Sequence, residues 1–282
     1  RRAAEPGAEY VDVELDAVDE LGALPGATAK IVSYHNFAET PYNLDTIFRR
    51  IKAVEPAVVK ITAKARDMAD VARVLDLLRR RAGDTPLIAL SMGEEGLPTR
   101  VLAAKFGAFL TFASRESGLE SAPGQAPYSE MLGMYRFHQV DAATTLYGVI
   151  GNPVAHSMSP AAHNAALAAL DINAVYLPFK VTDPALFLDQ FEPLGLRGAS
   201  VTIPHKEAAL GLMDEADELA RRVGAVNTVK LSEGRRYGCN TDVSAAVRSV
   251  EAAAARAGLG PLGRGQLRLP RGGVRLQRLQ LR

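Results

Sequence analysis

Short apolar runs alternate with amphipathic stretches through the first 114 residues of the chain. Apolar residues recur at helical spacing on one face of residues 43–55 and again of residues 70–81. The apolar runs predict strands at residues 10–15, 29–35, 58–62, 86–92 and 109–113. Such repetition predicts an α/β fold with a parallel sheet, either open and doubly wound or closed into a barrel. In both, the C-terminal ends of the strands carry the active site.

The second half repeats the pattern from residue 146 onward. A strand at 146–151 precedes an alanine-rich helix that we expect to begin at Ser159, with serine as N-cap and Pro160 as first helical residue. This role accounts for Ser159 but not for Ser157, and paired hydroxyls at a helix N-terminus suit a carboxylate ligand. Further βα units are predicted, with strands at 174–181, 199–203, 225–231 and 235–240 and a helix from residue 243.

Composition limits the class of partner. A chain of 282 residues with 48% hydrophobic residues can hold about two domains. A single cysteine, Cys239, excludes an intrachain disulfide and a multi-cysteine zinc site, so we expect a cytoplasmic protein and no metal. A net charge of +1 and the lack of any apolar run of ~18 residues favour small-molecule substrates over nucleic acid or membrane.

Lys60 and His35 are the candidate reactive residues of the first half. Lys60 lies within an apolar run, where burial would lower its pKa from ~10.4 and provide a neutral amine that attacks carbonyls. His35 ends a predicted strand and could move a proton near neutral pH. Together they suit elimination or addition next to a carbonyl. The alternatives are a lysine facing solvent at a strand end and a histidine that caps a loop.

Two further features of the first half suit a carboxylate substrate. Arg100 could bind the carboxylate, and residues 121–125, with Ser121 and Gln125, could close as a lid. A solvated arginine and an ordinary turn are the alternatives.

Lys206 is the candidate reactive residue of the second half. It follows a predicted strand and Pro204, at a strand-to-helix turn, and Asp242 is a possible carboxylate partner further along the chain. The pair suits acid/base chemistry. The alternative is a solvated lysine at the start of a helix.

The two ends of the sequence differ from the rest. The chain opens at Arg1 without a methionine and soon reaches a strand, so we expect residues to be missing upstream. Residues 262–282 alternate arginine with leucine, glycine and glutamine, which predicts a disordered basic tail or a frameshift product. No Gly-rich dinucleotide-binding turn follows Gly258, because Gly263-Arg264-Gly265 follows no apolar strand.

Motifs of the first half resemble the type I 3-dehydroquinate dehydratase family. They are Ser33-Tyr34-His35-Asn36-Phe37, Thr40-Pro41, Val59-Lys60-Ile61, Ser91-Met92-Gly93, Arg100 and Ser121-Ala122-Pro123-Gly124-Gln125. The resemblance implies an eight-stranded (β/α) TIM barrel, of which five strands are predicted here and the first three have no counterpart. It implies a Schiff base on Lys60, His35 as general base and acid, and Arg100 as carboxylate clamp. Ser121 and Gln125 would belong to the lid and Met92 would line the pocket.

Motifs of the second half resemble the shikimate dehydrogenase family. They are Gly148-Val149-Ile150-Gly151-Asn152-Pro153, Ser157-Met158-Ser159-Pro160, Val201-Thr202-Ile203-Pro204-His205-Lys206, Gly224-Ala225-Val226-Asn227-Thr228 and Gly238-Cys239-Asn240-Thr241-Asp242. The resemblance implies that Ser157 and Ser159 bind the substrate carboxylate. The residues implied to bind ring hydroxyls are Thr202, Asn227 and Asp242. Lys206 and Asp242 would be the catalytic pair. NADP is implied as cofactor, although we expect its Rossmann domain to be absent.

The order of the two resemblances is that of fused enzymes of the shikimate pathway, which makes precursors of aromatic amino acids. We therefore expect a partial dehydratase barrel at residues 1–141, a shikimate dehydrogenase substrate-binding domain at 144–258 and the basic tail at 259–282. The implied reactions convert 3-dehydroquinate to 3-dehydroshikimate and then, with NADPH, to shikimate, both weakened by truncation. A quinate dehydrogenase and a non-catalytic sensor of pathway intermediates are the alternatives.

Overall fold

The computed structural model describes residues 7–20, 24, 27–120, 122 and 124–258, which form a mixed α/β fold. Ser121 and the predicted tail at 259–282 lie outside the described residues. The described elements are β1 (Tyr10–Glu14), β2 (Ala29–Asn36), α1 (Leu44–Lys52), β3 (Val58–Lys64), α2 (Met68–Arg81), β4 (Leu87–Met92), α3 (Leu97–Val101), α4 (Tyr128–Gly133), β5 (Thr145–Gly151), α5 (Ser159–Ala169), β6 (Ala174–Lys180), α6 (Pro184–Phe191), β7 (Leu196–Val201), α7 (Lys206–Leu210), β8 (Glu215–Ala216), α8 (Glu218–Val223), β9 (Thr228–Ser232), β10 (Arg235–Cys239) and α9 (Asp242–Arg256).

In the described residues, β1, β2, β3 and β4 form a parallel sheet in that order. Period-two alternation directs Val32, Val59 and Ile61 to the face that packs on α1 and α2. The opposite face carries a smaller apolar cluster of Ile31, Val58, Ile88 and Leu90. Helices α1 and α2 therefore cover one face of this sheet. The opposite face, with the smaller apolar cluster, is called the site face below.

The strand predicted at 109–113 does not form. Phe109 donates its backbone N–H to the Leu87 carbonyl at 2.8 Å, but no strand ladder follows. The Phe109 ring instead meets Tyr10 of β1 at 5.8 Å, and Leu110 packs on the smaller apolar cluster. The segment thus crosses the site face of the sheet, because covering an apolar face removes more apolar surface from water than pairing at the β4 edge.

The second sheet of the described chain has the order β6-β5-β7-β9-β10-β8. β5 pairs in parallel with β6 and β7, while β9 runs antiparallel to both β7 and β10. The predicted βα repetition is therefore wrong for β9 and β10, which are antiparallel neighbours with no helix between them. Glu233 and Gly234 both have positive φ, 55° and 71°, and their tight turn makes a hairpin of β9 and β10.

The chain divides into two compact units, Arg1–Cys239 and Asn240–Arg282. Both sheets lie in the first unit, so the boundary predicted between residues 141 and 144 falls inside it. Val59 of β3 and Ile150 of β5 belong to one hydrophobic cluster. The Lys180 ammonium at the end of β6 lies 2.6 Å from a Glu94 carboxylate oxygen after β4. The described part of the second unit is α9, preceded by Asn240 and Thr241 and followed by Ala257 and Gly258.

Every helix in the described residues is too short or too polar to serve as a membrane span.

Candidate active site

Lys60 is held by an acidic partner on the site face of the first sheet. Its Nζ atom donates to Oδ2 of Asp12 at 2.6 Å and lies 5.0 Å from the centre of the Phe112 ring. The Lys60 side chain is 12% exposed, so the solvent-facing alternative is wrong. The apolar run predicts an isolated amine, whereas the structure contains an ion pair with a ready proton acceptor.

His35 lies one strand away and is oriented by Glu14. Its backbone N–H donates to Oε1 of Glu14 at 2.9 Å, and its Nδ1 lies 2.7 Å from Oε2. Ser33 donates its hydroxyl to the same Oε2 at 3.0 Å. A carboxylate only accepts hydrogen bonds, so Nδ1 carries the proton and Nε2 is left for exchange with a ligand.

Strand register places Lys60, Asp12, His35 and Glu14 on one face of the first sheet. Glu14 pairs with Ser33 and Ser33 pairs with Lys60, and paired residues of parallel strands point to the same face. Asp12 and His35 lie two residues from Glu14 and Ser33, so they point to this face as well. The sequence prediction omitted Asp12 and Glu14. The signal was present in β1, where an acid occupies every second position between valines.

Arg100 is buried without an acidic partner. Its side chain is among the largest fully buried ones, and its Nη1 donates to the carbonyls of Ser91 at 2.6 Å and Gly96 at 3.1 Å. Its Nε has no hydrogen-bond partner, and none of the ion pairs in the described part of the chain involves it. Burial lowers the pKa of Arg100 to about 10, which leaves it a cation at neutral pH. The solvated-arginine alternative is wrong, because the side chain is fully buried.

Gly124, within the segment predicted as a lid, lies against Gly93 just after the end of β4. Gly124 has φ of 81°, and a Cβ atom there would come within 1.8 Å of the Gly93 carbonyl oxygen. Glycine is therefore required at this close approach. Half-buried Gln125 follows, its N–H donating to the Ala122 carbonyl at 3.4 Å, while Met92 is buried at the end of β4.

The N-cap predicted for α5 is wrong, whereas the ligand-binding roles implied for Ser157 and Ser159 stay predictions. Ser159 is the first helical residue, and the N-cap position belongs to Met158. The Ser157 hydroxyl accepts the Ser159 backbone N–H at 3.2 Å. A hydroxyl two residues earlier can reach this N–H, because the turn before the helix brings it back over the helix end.

Thr202 and Asn227 lie near the ends of β5 and β7. The Thr202 N–H donates to the Ile150 carbonyl at 2.9 Å, and its methyl group packs so closely on Gly151 that a Cβ there would be 2.3 Å away. Asn227 is buried; its carbonyl accepts the Val201 N–H at 2.7 Å and its Oδ1 accepts the Thr228 hydroxyl at 3.1 Å. The backbones of both residues are thus hydrogen-bonded to neighbouring strands.

Lys206 and Asp242 each begin a helix, in different units. Lys206 is half-buried at the start of α7, and its carbonyl accepts the Val226 N–H at 2.8 Å. Asp242 begins α9, and its N–H donates to Oδ1 of Asn240 at 3.1 Å.

The residues present do not fit a dinucleotide. No G-x-G-x-x-G turn joins a strand to a helix in the described ranges between 7 and 258, and the polar cap of α9 is the Asn240 side chain. Within the same ranges, no group of three or more His, Cys, Asp or Glu residues could hold a metal ion.

Two family models match the chain. Residues 1–142 match type I 3-dehydroquinase, and residues 149–229 match the shikimate dehydrogenase substrate binding domain.

Among curated relatives, a bifunctional 3-dehydroquinate dehydratase/shikimate dehydrogenase, chloroplastic, of Arabidopsis thaliana is 42% identical over 89% of this chain and 43% of its own length. A shikimate dehydrogenase (NADP(+)) of Moorella thermoacetica is 46% identical over 48% of this chain and 45% of its own length. A solved structure of dehydroquinate dehydratase and shikimate dehydrogenase from S. pombe has a TM-score of 0.41 at 26% identity, covering 90% of this chain and 49% of that one. The chain spans less than half the length of these relatives.

Proposed function

Because the chain belongs to the type I 3-dehydroquinase family, we propose that its first half dehydrates 3-dehydroquinate to 3-dehydroshikimate through a Schiff base on Lys60. The observation that carries this proposal is the pair of acid-partnered groups on one sheet face, Lys60 with Asp12 and His35 with Glu14. An amine that must lose a proton has an acceptor at 2.6 Å, and a base that must gain one has a carboxylate to stabilise it.

The steps follow from these contacts. Lys60 passes a proton to Asp12, and the free amine attacks the substrate ketone, which loses its oxygen as water and forms a protonated imine. The imine draws electrons from the neighbouring C–H bond, and Nε2 of His35 takes that proton. The C–O bond on the next carbon then breaks, and the departing hydroxyl takes the proton from His35 and leaves as water. One water molecule hydrolyses the imine and restores Lys60, so the net change is loss of one water.

Arg100 supports the choice of a carboxylate substrate. A buried guanidinium without an acid is costly, and a ligand carboxylate would offset that cost through charge-assisted hydrogen bonds. We assign Ser121 and Gln125 to the lid over this ligand, since the Gly124 contact with Gly93 holds the loop at the end of β4.

For the second half we propose the substrate lobe of a shikimate dehydrogenase, supported by the match of residues 149–229. Ser157 and Ser159 would bind the carboxylate of 3-dehydroshikimate or shikimate. The residues assigned to the ring hydroxyls are Thr202, Asn227 and Asp242. Lys206 and Asp242 would take part in moving the proton that accompanies hydride transfer.

NADPH is the proposed hydride source of the whole protein, as in the relatives whose names carry NADP(+). The described residues do not fit a dinucleotide.

The finer architecture is also proposed. We assign the first sheet to a partial TIM barrel within residues 1–141 and the second to the substrate-binding domain at 144–258, supported by the parallel register of β1 to β4 and by the family matches. The partners are small molecules. A cytoplasmic location is proposed from the single cysteine, although the Arabidopsis relative is named chloroplastic.

The test is product formation by the chain as given. The chain is incubated with 3-dehydroquinate, and the conjugated ketone of the product is followed by ultraviolet absorbance and identified by NMR. Lys60→Met and His35→Asn serve as inactive controls. Product that forms with the wild-type chain and not with either variant supports the proposal; equal rates in all three contradict it.

A further inference from the structure

The turn between β7 and α7 contains a buried histidine between exposed residues. Ile203 is 67% exposed and Pro204 is exposed as well, whereas His205 is only 5% exposed. The helix that follows has five residues, too few to be stable without contacts to the rest of the fold. Thr202 and Lys206 lie at the two ends of this turn, so their positions depend on how the turn is held.

The His205 ring closes a circle of hydrogen bonds at the ends of β5 and β6. Its Nε2 lies 2.7 Å from the Val181 carbonyl oxygen, and because a carbonyl only accepts, Nε2 carries the proton and donates. The Val181 N–H donates to the Gly151 carbonyl at 3.0 Å. The His205 N–H donates to the Thr202 carbonyl at 2.9 Å, and the Thr202 N–H donates to the Ile150 carbonyl at 2.9 Å. The His205 side chain thus supplies the bond that joins the turn to β6.

The backbone of His205 also starts helix α7. His205 occupies the N-cap position, and its carbonyl accepts the Ala209 N–H at 2.8 Å. Lys206 follows directly as the first helical residue, and its own carbonyl accepts the Val226 N–H at 2.8 Å. A shift of the backbone at His205 would therefore move Lys206 and Thr202 together.

We propose that His205 is a positioning residue that holds Thr202 and Lys206 for a cyclic hydroxy acid such as shikimate. Its ring is buried, so it acts through these two neighbours and not by contact with the ligand. Loss of the donor leaves the buried Val181 carbonyl without this bond and frees the turn to move relative to β6. A displacement of about 1 Å at the groups that hold a ligand is enough to be measured. This inference rests on the proposed substrate lobe.

The test compares variants with and without a donor at this position. His205→Phe keeps a ring but cannot donate, and His205→Asn has a donor that is one bond too short. His205→Gln keeps an N–H at the same number of bonds from Cβ as Nε2 of histidine. Thr144→Val is the matched control, because Thr144 is also buried and donates to Oδ1 of Asn173 at 2.7 Å, at the opposite ends of β5 and β6. Each full chain is titrated calorimetrically with shikimate, and denaturant unfolding measures its stability.

His205→Phe and His205→Asn are expected to bind shikimate about threefold to tenfold more weakly, and His205→Gln should recover most of that loss. In a Lys206→Met background, His205→Phe should cost less affinity than in the otherwise unchanged chain, because the two residues act through one contact. Thr144→Val should lower stability and leave the affinity unchanged.

Three results contradict the role of His205 alone: unchanged binding by His205→Phe and His205→Asn, equally weak binding by His205→Gln, or an equal loss of affinity in Thr144→Val. Absence of shikimate binding by the wild-type chain overturns the proposed lobe and this inference with it.

Discussion

Nδ1 of His35 lies 2.7 Å from Oε2 of Glu14, and this contact selects which ring nitrogen is free for chemistry. The other carboxylate oxygen accepts the His35 backbone N–H at 2.9 Å, so Glu14 fixes both the position and the tautomer of the ring. Nε2 is consequently the atom that can take a proton from a ligand bound on Lys60.

Glu14→Gln should lower kcat for dehydration by about 10²-fold while KM changes less, because positioning and charge support are lost at the proton-transfer step. An amide can donate as well as accept, so it also allows the wrong tautomer. Steady-state kinetics provides the measurement. Glu20→Gln, an exposed position just after β1, is the control and should leave kcat unchanged. A Glu14 variant with wild-type kcat would exclude this role.

Asp12→Asn should slow formation of the imine, because the Lys60 ammonium loses its proton acceptor. Removing one partner of this ion pair should also lower the free energy of unfolding by about 1 kcal/mol, a modest loss because Asp12 is exposed although Lys60 is mostly buried. Denaturant unfolding measures the second effect. The double variant Asp12→Asn/Lys60→Met should recover part of that stability; if it is less stable than Asp12→Asn, the ion-pair explanation fails.

Arg100→Met should separate stability from binding. Removing the buried cation should stabilise the fold, whereas losing its hydrogen bonds to two carbonyls should destabilise it. Because these effects oppose each other, the free energy of unfolding should change by less than about 1 kcal/mol. Affinity for 3-dehydroquinate should fall about 10²-fold. Thermal unfolding with and without ligand measures both quantities, and Arg50→Met, at an exposed position of α1, is the control. Ligand stabilisation that survives in Arg100→Met contradicts the clamp.

The pH dependence of Arg100 has a defined sign. Burial disfavours the cation, so the pKa of Arg100 is lower in the folded chain, about 10, than in the unfolded chain. Below about pH 10 the charge is present in both the folded and the unfolded chain, and its burial costs the folded chain stability. As the pH rises above about 10, the folded chain releases this proton before the unfolded chain does, so the contribution of Arg100 to stability rises with pH while carboxylate affinity falls. Arg100→Met should lack both changes.

Gly124→Ala should raise KM for 3-dehydroquinate, because the new Cβ would lie 1.8 Å from the Gly93 carbonyl oxygen and push the loop from the end of β4. Gly118→Ala is the matched control: it also has positive φ, 86°, but nothing lies within 4 Å of its Cβ position. In the control, the free energy of unfolding should fall by only about 1 to 2 kcal/mol, because a residue with a Cβ is strained in the left-handed conformation. Equal KM values for the two variants would show that the Gly93 contact does not matter.

Local patterns predicted the paired strands but not the placement of every segment. The apolar runs predicted the bounds of β1 to β4 to within two residues, because each strand carries its own apolar side chains. Residues 109–113 have the composition of a strand, yet Phe109 and Leu110 cover the sheet instead. That outcome depends on an apolar face built by distant residues, which no local pattern contains.

The residues of the candidate site were likewise predicted only in part from local sequence. Lys60 and His35 were identified from their own surroundings in the sequence, and the structure places them on adjacent strands. Asp12 and Glu14 were missed because only strand register brings them to their partners. Asp12 is 48 residues from Lys60 in the sequence, and Glu14 is 21 residues from His35. The N-cap of α5 was misplaced by one residue, because the helix begins at Ser159 itself and the Ser157 hydroxyl accepts the Ser159 N–H.

Borohydride trapping on the wild-type chain tests the central claim most directly. The chain is mixed with 3-dehydroquinate, reduced, digested and sequenced by mass spectrometry, with Lys60→Met and Lys64→Met treated in parallel. Lys64, exposed at the end of the same strand, is the control for non-specific modification. We expect one substrate-derived adduct on Lys60, absent from Lys60→Met and retained in Lys64→Met. An unmodified Lys60, or an adduct spread over surface lysines, would contradict it.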